Sequence, residues 1–302
     1  MNIIFMGTPD YAQKILQRLI ETKDINVVAV YTQPDKPVGR KKVMTPPLVK
    51  SLAQEHNIEV YQPNRLRDED VVSELIKIEC DYIVVAAYGQ ILPRTILDHA
   101  PCINLHASIL PQYRGASPIQ QTLLNDDKIT GVTAMLMEEG LDTGDILKVD
   151  TMNVPKEMMV ETLFDSLTEL ASDLTVEVLQ NFKNFTPQKQ LVEEASHCKK
   201  ISKKDGLIVF DDAHEIYSKY RAFTPWPGIY LESGMKLKKI ELVDKCVLGM
   251  SGIILEINSD NILLSCKKGV IRIYSVQPQS KKEMNIISYI NGKRLGLEDT
   301  IS

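Results

Sequence analysis

The chain is short of the residues that staple small or extracellular proteins together. Its five cysteines, Cys80, Cys102, Cys198, Cys246 and Cys266, are an odd number with no close pair. That excludes a disulfide framework and fits a reducing compartment. There is no Cys-x-x-Cys, and His56, His99, His106, His197 and His214 never form His-Glu-x-x-His, so no metal is expected. His197 and Cys198 are sequence neighbours, a spacing that metal ligands rarely use, and they read as structural. The longest apolar run, Tyr82 to Tyr88, is far shorter than the roughly 18–20 residues a bilayer needs. No basic leader precedes the apolar run Asn2 to Met6, which reads as a first strand and not as a secretion signal. The expectation is a cytoplasmic protein without a membrane partner. Neither Gly-x-Gly-x-x-Gly nor a Gly-Lys-Ser/Thr phosphate loop occurs, which disfavours a nucleotide cofactor.

What is present describes an ordinary globular chain. It has 302 residues, 44% hydrophobic and 25% charged, enough for about two domains. Charge is uneven along it. Residues 1–198 carry 18 Lys and Arg against 28 Asp and Glu, a net −10, whereas residues 199–302 carry 17 against 12, a net +5. A basic final third suits a polyanionic partner, because clustered Lys and Arg release counterions from phosphates. A solvated surface explains the charge equally well.

Patterning predicts a strand over Asn2–Met6 and a helix over Tyr11–Ile20, then a strand over 26–31, helices over 48–55 and 68–78, and a buried strand over 81–87. A strand over Cys102–His106, a helix over 117–125, strands near 131–137 and 145–150, and a long amphipathic helix over 160–182 follow. This alternation predicts an α/β domain over 1–182, a doubly wound, mostly parallel, Rossmann-like sheet. Residues 183–204 are polar and aperiodic and read as a linker. Residues 205–302 open with a helix near 214–223 and continue as about five short β-rich runs, which predicts a small β-barrel of the oligonucleotide-binding type.

Three features carry candidate chemistry. In Cys102–His106, residues two apart share a face, so Asn104 and His106 emerge together at the carboxyl end of a strand, where open α/β sheets place their sites. An amide and an imidazole offer one fixed and one titratable hydrogen-bond donor, although such a pair is more often structural. Asp142 stands in the glycine-flanked turn Glu139–Asp145, which could aim its carboxylate at that sheet edge, although by itself it reads as a turn aspartate. Thr32–Pro47 is a long loop with four prolines and the basic residues Lys36, Arg40, Lys41 and Lys42, and long loops in compact domains tend to be functional.

Together, Asn104-x-His106-x-Ser108 with Leu110-Pro111, Arg114-Gly115 and Asp142 resembles the folate-dependent formyltransferases. The opening Gly7-Thr8-Pro9-Asp10, the segments Thr32–Asp35, Gly39-Arg40, Ala87–Pro93 and Leu141–Asp145, and Phe223–Gly228 near the end are similar to that family too. The resemblance implies a catalytic set of Asn104, His106 and Asp142 and a folate-contacting Ser108-Ile109-Leu110-Pro111, with isoleucine where the family usually has leucine. It implies 10-formyltetrahydrofolate as co-substrate, no metal, and contacts from Lys36, Arg40, Lys41 and Lys42 to tRNA. Within the family the likeness is to members that formylate the methionine amine of charged initiator tRNA for translation initiation, and a monomer is expected. An amino sugar nucleotide as acceptor is the alternative, but it leaves the basic loop and basic tail unexplained together. A catalytically silent RNA-binding module is a third, against which the intact Asn104, His106 and Asp142 set speaks.

Overall fold

Residues 1–39 and 41–301 are described by the computed structural model. The chain runs through β1 (Asn2–Gly7), α1 (Asp10–Glu21), β2 (Asn26–Tyr31), β3 (Lys36–Val38), β4 (Val43–Thr45), α2 (Leu48–Glu55), β5 (Glu59–Tyr61), α3 (Glu69–Leu75), β6 (Tyr82–Ala86) and α4 (Arg94–Leu97). It continues with β7 (Cys102–His106), β8 (Arg114–Gly115), α5 (Pro118–Leu124), β9 (Ile129–Leu136), β10 (Ile146–Asn153), α6 (Val160–Asn181) and β11 (His197–Cys198). Two compact units result. The first comprises residues 1–118, 129–154 and 162–199, and the second comprises 119–128, 155–161 and 200–302.

A seven-stranded sheet in the order β10-β9-β7-β6-β1-β2-β5 organises the first unit. β5, β2, β1, β6 and β7 are parallel, and β9 and β10 close one side as antiparallel strands. Every residue of β7, and all but the first of β1, is buried. Burial on both faces is why these strands are apolar runs without alternation. α1 packs on β1, β2 and β6, and Tyr11 meets Phe164 of α6 edge to face at 6.1 Å. In α6, Leu163, Leu167, Ala171, Leu174 and Val178 are fully buried at helical spacing. The strand order turns back beside β1, whose neighbours are β2 and β6, and such a switch point opens a crevice at the carboxyl ends of the strands.

The second unit holds α7 (Ala213–Phe223), β12 (Ile229–Tyr230), β13 (Lys236–Leu248), β14 (Ile254–Ile257), β15 (Ile262–Ser265), β16 (Lys268–Gln277), β17 (Met284–Asn285) and α8 (Ile286–Lys293). The strands form an antiparallel sheet in the order β12-β13-β16-β15-β14, with β17 on β16. The pairing of β13 with β16 shifts register four times, a device that bends and twists a long strand within a small β-domain. Asp212 caps α7, accepting from the backbone N–H of His214 at 2.8 Å. No helix among the described residues is long and apolar enough to cross a membrane.

A buried charge cluster ties three segments of this second unit together. Arg221 of α7 is 2% exposed. It donates to the carbonyls of Lys156 at 2.9 Å and Leu123 at 3.4 Å, and to Asp126 Oδ1 at 2.9 Å. Asp126 also faces Lys128 at 2.9 Å and His214 at 3.2 Å. Burial alone would raise the Asp126 carboxyl. Hydrogen bonds from Lys128 and His214 and the charges of Lys128 and Arg221 overcome that effect and bring it down to about 2. A depressed carboxyl contributes stability that is complete above its unfolded value, about 4, and is lost as the pH falls through about 2. Asp126→Asn, which strands the Arg221 charge, is expected to cost about 3 kcal/mol at pH 7. Denaturant titrations of the full chain should show this deficit shrinking by roughly 1 kcal/mol at pH 3, and a deficit independent of pH would contradict the assignment.

Candidate active site

Asn104 and His106 take alternate places on β7 and leave the same face near its carboxyl end. They are only 9% and 6% exposed, so each must find hydrogen-bond partners. The His106 ring meets the Tyr113 carbonyl through Nε2 at 2.9 Å. A carbonyl can only accept, so Nε2 carries a proton and the remaining nitrogen, Nδ1, is left for chemistry. Nδ1 lies 3.7 Å from Asp142 Oδ2, longer than a hydrogen bond. Asp142 is held in place by the Gly115 N–H, which donates to Oδ2 at 2.8 Å. Among the described residues, no protein group hydrogen-bonds the Asn104 side chain.

The backbone around this pair is held in unusual conformations. Ala87, Tyr113 and Asp142 have φ of 46°, 60° and 54°, values that cost free energy in non-glycine residues and cluster at functional sites. At Tyr113 the turn aims the carbonyl at His106. Gly115, with φ of 116°, lies so close to the Cys198 carbonyl that any Cβ would collide with it. The short parallel pair β8 and β11 fixes this loop: the Arg114 N–H donates to Ser196 O at 2.9 Å and the Tyr113 N–H to Ser196 Oγ at 2.9 Å. Residues 196–198, read from sequence as linker, therefore brace the loop around Tyr113 and Gly115.

Ser108, Ile109, Leu110 and Pro111 form the turn that follows β7. Thr133 of β9 pins it, donating to Ser108 O at 2.7 Å and accepting from the Leu110 N–H at 3.0 Å. Ser108 is fully buried and its hydroxyl donates to the Gln112 carbonyl. Ile109 and Pro111 are half-buried. Across the crevice, Thr8 Oγ1 and Gln33 Nε2 both donate to Tyr88 O, at 3.4 and 3.1 Å. These contacts join the ends of β1, β2 and β6. The Thr143 Oγ1 atom, in the loop carrying Asp142, is buried and has no hydrogen-bond partner among the described residues.

Cysteine chemistry is not on offer. Burial pushes the Cys102 thiol up to about 12, and burial followed by the charge of Asp142 raises that of Cys198. Nucleophilic thiols need the opposite shift.

The long proline-bearing loop is a hairpin, with Lys36 opposite Thr45 and Val38 opposite Val43. Lys36, Lys41 and Lys42 are exposed and form no ion pair among the described residues, and Arg40 lies outside the described residues. Val38, Val43 and Met44 are also exposed, each 55–60%. Sequence reading missed this hairpin, together with Tyr113, Thr133 and Ser196, and took Gly115 only as part of the family resemblance. The only available signals were the glycine at 115 and the β-branched residues at 38 and 43.

The chain matches known proteins along most of its length. Residues 1–179 match the family described as Formyl transferase, and residues 200–294 match Formyl transferase, C-terminal domain. A protein of Sulfurimonas denitrificans named methionyl-tRNA formyltransferase is 64% identical over 302 residues, covering 100% of both chains. One of the same name from Nitratiruptor is 55% identical over 302 residues, covering 99% of each. Among solved structures, an N-formyltransferase from Helicobacter canadensis in complex with folinic acid and dTDP-3-aminofucose superposes with a TM-score of 0.68 at 18% identity. The match covers 90% of this chain and 98% of that one. A sugar 3N-formyl transferase gives 0.66 at 19%, covering 93% and 99%. At these identities the structures establish shared architecture, a parallel-dominated sheet followed by a small antiparallel domain. With both of its parts matched in order, the chain belongs to the formyl transferase family.

Proposed function

We propose that this protein transfers a formyl group from 10-formyltetrahydrofolate to the α-amine of methionine on charged initiator tRNA. One observation carries the reading: likeness along essentially the whole chain, at 48–64% identity, to proteins named for this reaction. On this reading the protein works in translation initiation, in the cytoplasm.

The residues of the crevice suit a folate donor. The Asn104 amide, near the carboxyl end of β7, is a polar group available to a heterocycle rich in hydrogen-bonding atoms. Half-buried Ile109 and Pro111, in the turn that follows β7, supply apolar surface. When bound, the donor supplies a formyl carbon on a nitrogen that can leave.

Asn104 and His106 do the electrostatic work. As the amine attacks, negative charge grows on the formyl oxygen, and the Asn104 amide and the Nδ1–H of a doubly protonated His106 converge on it. Asp142 lies beside Nδ1 and offsets the positive charge of the ring. Its Oδ1, unused by Gly115, accepts the proton that the amine sheds and passes it to the departing nitrogen, directly or through water. The bookkeeping closes. A carbon–nitrogen bond forms to the amine, one breaks to the donor, the amine loses a proton and the departing nitrogen gains one. Cys102 takes no part.

Lys36, Lys41 and Lys42 on the protruding hairpin, with Arg40 between them in sequence, are assigned to the tRNA backbone. The second unit adds a charged, aromatic face where the Lys239 ammonium sits 4.7 Å from the centre of the Tyr274 ring and Arg272 pairs with Glu241 at 3.3 Å. Cations with interleaved aromatics suit nucleic acid.

Purified protein is expected to move label from 10-formyltetrahydrofolate to charged initiator tRNA and not to an amino sugar nucleotide. Label on the sugar alone would sink the substrate assignment. Asn104→Ala, His106→Ala and Asp142→Ala should each lower kcat by about 100-fold or more, in line with losing one preorganised donor, while filter binding of charged tRNA stays intact. Lys41→Ala and Lys42→Ala should instead raise KM for tRNA and reduce the salt dependence of binding by about one phosphate contact each. An unchanged salt slope would remove the hairpin from the interface.

A further inference from the structure

We propose that Gln190 is a positioning residue, clamping the loop that carries Asp142 to the loop that carries Arg114 and thereby setting the gap between Asp142 and His106. The proposal rests on the catalytic roles given above to Asp142 and His106. Gln190 lies in the aperiodic stretch before β11, yet its side chain makes five hydrogen bonds, one of them a long contact to Met135 Sδ at 3.9 Å. Its amide NH2 donates to the carbonyl of Asp142 at 3.0 Å and to that of Gly144 at 2.7 Å. Its Oε1 accepts from Arg114 Nε at 3.0 Å and Nη2 at 2.7 Å. Arg114 is 5% exposed and has no carboxylate partner among the described residues, so the Gln190 oxygen is the neutral acceptor that meets its buried guanidinium.

The main chain holds Gln190 from both sides. Gln188 exchanges both backbone hydrogen bonds with Ile146, each at 2.8 Å, where β10 begins just after the Asp142 loop. Ser196 and Cys198 pair with Tyr113–Ala116. One side chain therefore bridges two loops that each place one half of the reactive pair. Gly115 of the Arg114 loop carries the N–H that holds Asp142, and Tyr113 carries the carbonyl that holds His106. Gly144 leaves no slack in the clamp, because a Cβ there would strike the Leu136 carbonyl.

Only an amide does both jobs, since one end must accept from a cation and the other must donate to two carbonyls. Gln190→Glu keeps the acceptor for Arg114 but turns a carboxylate toward the Asp142 and Gly144 carbonyls. Gln190→Met keeps the length and loses both ends. A misplacement of about 1 Å at a reacting centre can cost about 100-fold in rate.

The test is steady-state formylation by the full chain with Gln190→Glu, Gln190→Met, Asp142→Asn and the two doubles, varying charged initiator tRNA and 10-formyltetrahydrofolate. The proposal expects each Gln190 variant to lose about 10- to 100-fold in kcat with KM for tRNA unchanged within about twofold. In the Asp142→Asn background the same changes should add less than about twofold, because the group being positioned is already disabled. Gln190→Glu retains the Arg114 contact and so keeps the test open should Gln190→Met fail to fold. An undiminished kcat in Gln190→Glu, or losses that multiply in the Asp142→Asn background, would overturn the positioning role while leaving the Asp142 assignment standing. An Asp142→Asn protein with full kcat would instead overturn the catalytic reading, and the clamp with it.

Discussion

A carbonyl oxygen cannot donate a proton, and that limit organises the site. Tyr113 O at 2.9 Å from His106 Nε2 forces the proton onto Nε2 and turns Nδ1 toward Asp142. Two residues later the Gly115 N–H fixes the carboxylate that Nδ1 faces. One three-residue loop thus sets both which nitrogen of His106 carries the proton in the neutral ring and the position of the carboxylate beside it. Around it, buried polar groups are mostly satisfied by backbone, as in the Thr133 bracket of residues 108–110 and the two hydrogen bonds to the Tyr88 carbonyl. Satisfied networks in a low-dielectric interior are stiff, and stiffness is what a preorganised oxyanion site requires.

The sheet supplies the platform and the irregular segments supply the aim. β7 is buried along its length, so its register, and with it the common face of Asn104 and His106, is fixed by packing on both sides. The loops that complete the site are fixed by other means, through positive φ at Tyr113 and Asp142 and through two-residue strand pairing across about eighty positions of sequence. The first unit holds Asn104, His106 and Asp142, and the second is stabilised from within by Arg221 and Asp126.

How much of this could be read from sequence follows from the same distinction. The strands at 26–31 and 102–106 and the helix at 48–55 fall where the hydrophobic pattern puts them, because each is specified by its own burial. The shared face of Asn104 and His106 was legible from the period-two geometry of a strand, and the turn at Asp142 from its flanking glycines, whereas the roles assigned to these residues came only from the family resemblance. The β3–β4 hairpin was not legible, since its apolar residues face outward and no buried face imposes alternation. β8 and β11 left no trace either, for main-chain pairing between two-residue segments imposes no side-chain pattern. The same holds for residues 119–128 and 155–161, which pack into the second unit through Arg221 even though the alternating pattern assigns them to the first. Gln190 looked like one polar residue in a polar stretch, because the five hydrogen bonds of its side chain reach 46–76 positions away.

The central claim is that Nδ1 of His106 is the working nitrogen because Tyr113 holds the other one. It is tested most directly by long-range proton–nitrogen NMR of histidine-labelled protein, with His106→Gln used to assign the signal. The expected result is an Nε2–H tautomer for the neutral His106 ring, with Nδ1 carrying the lone pair. A neutral ring protonated at Nδ1 would contradict the claim, since the Nε2 lone pair would then face a carbonyl and the roles drawn for Asn104, His106 and Asp142 would have to be reassigned.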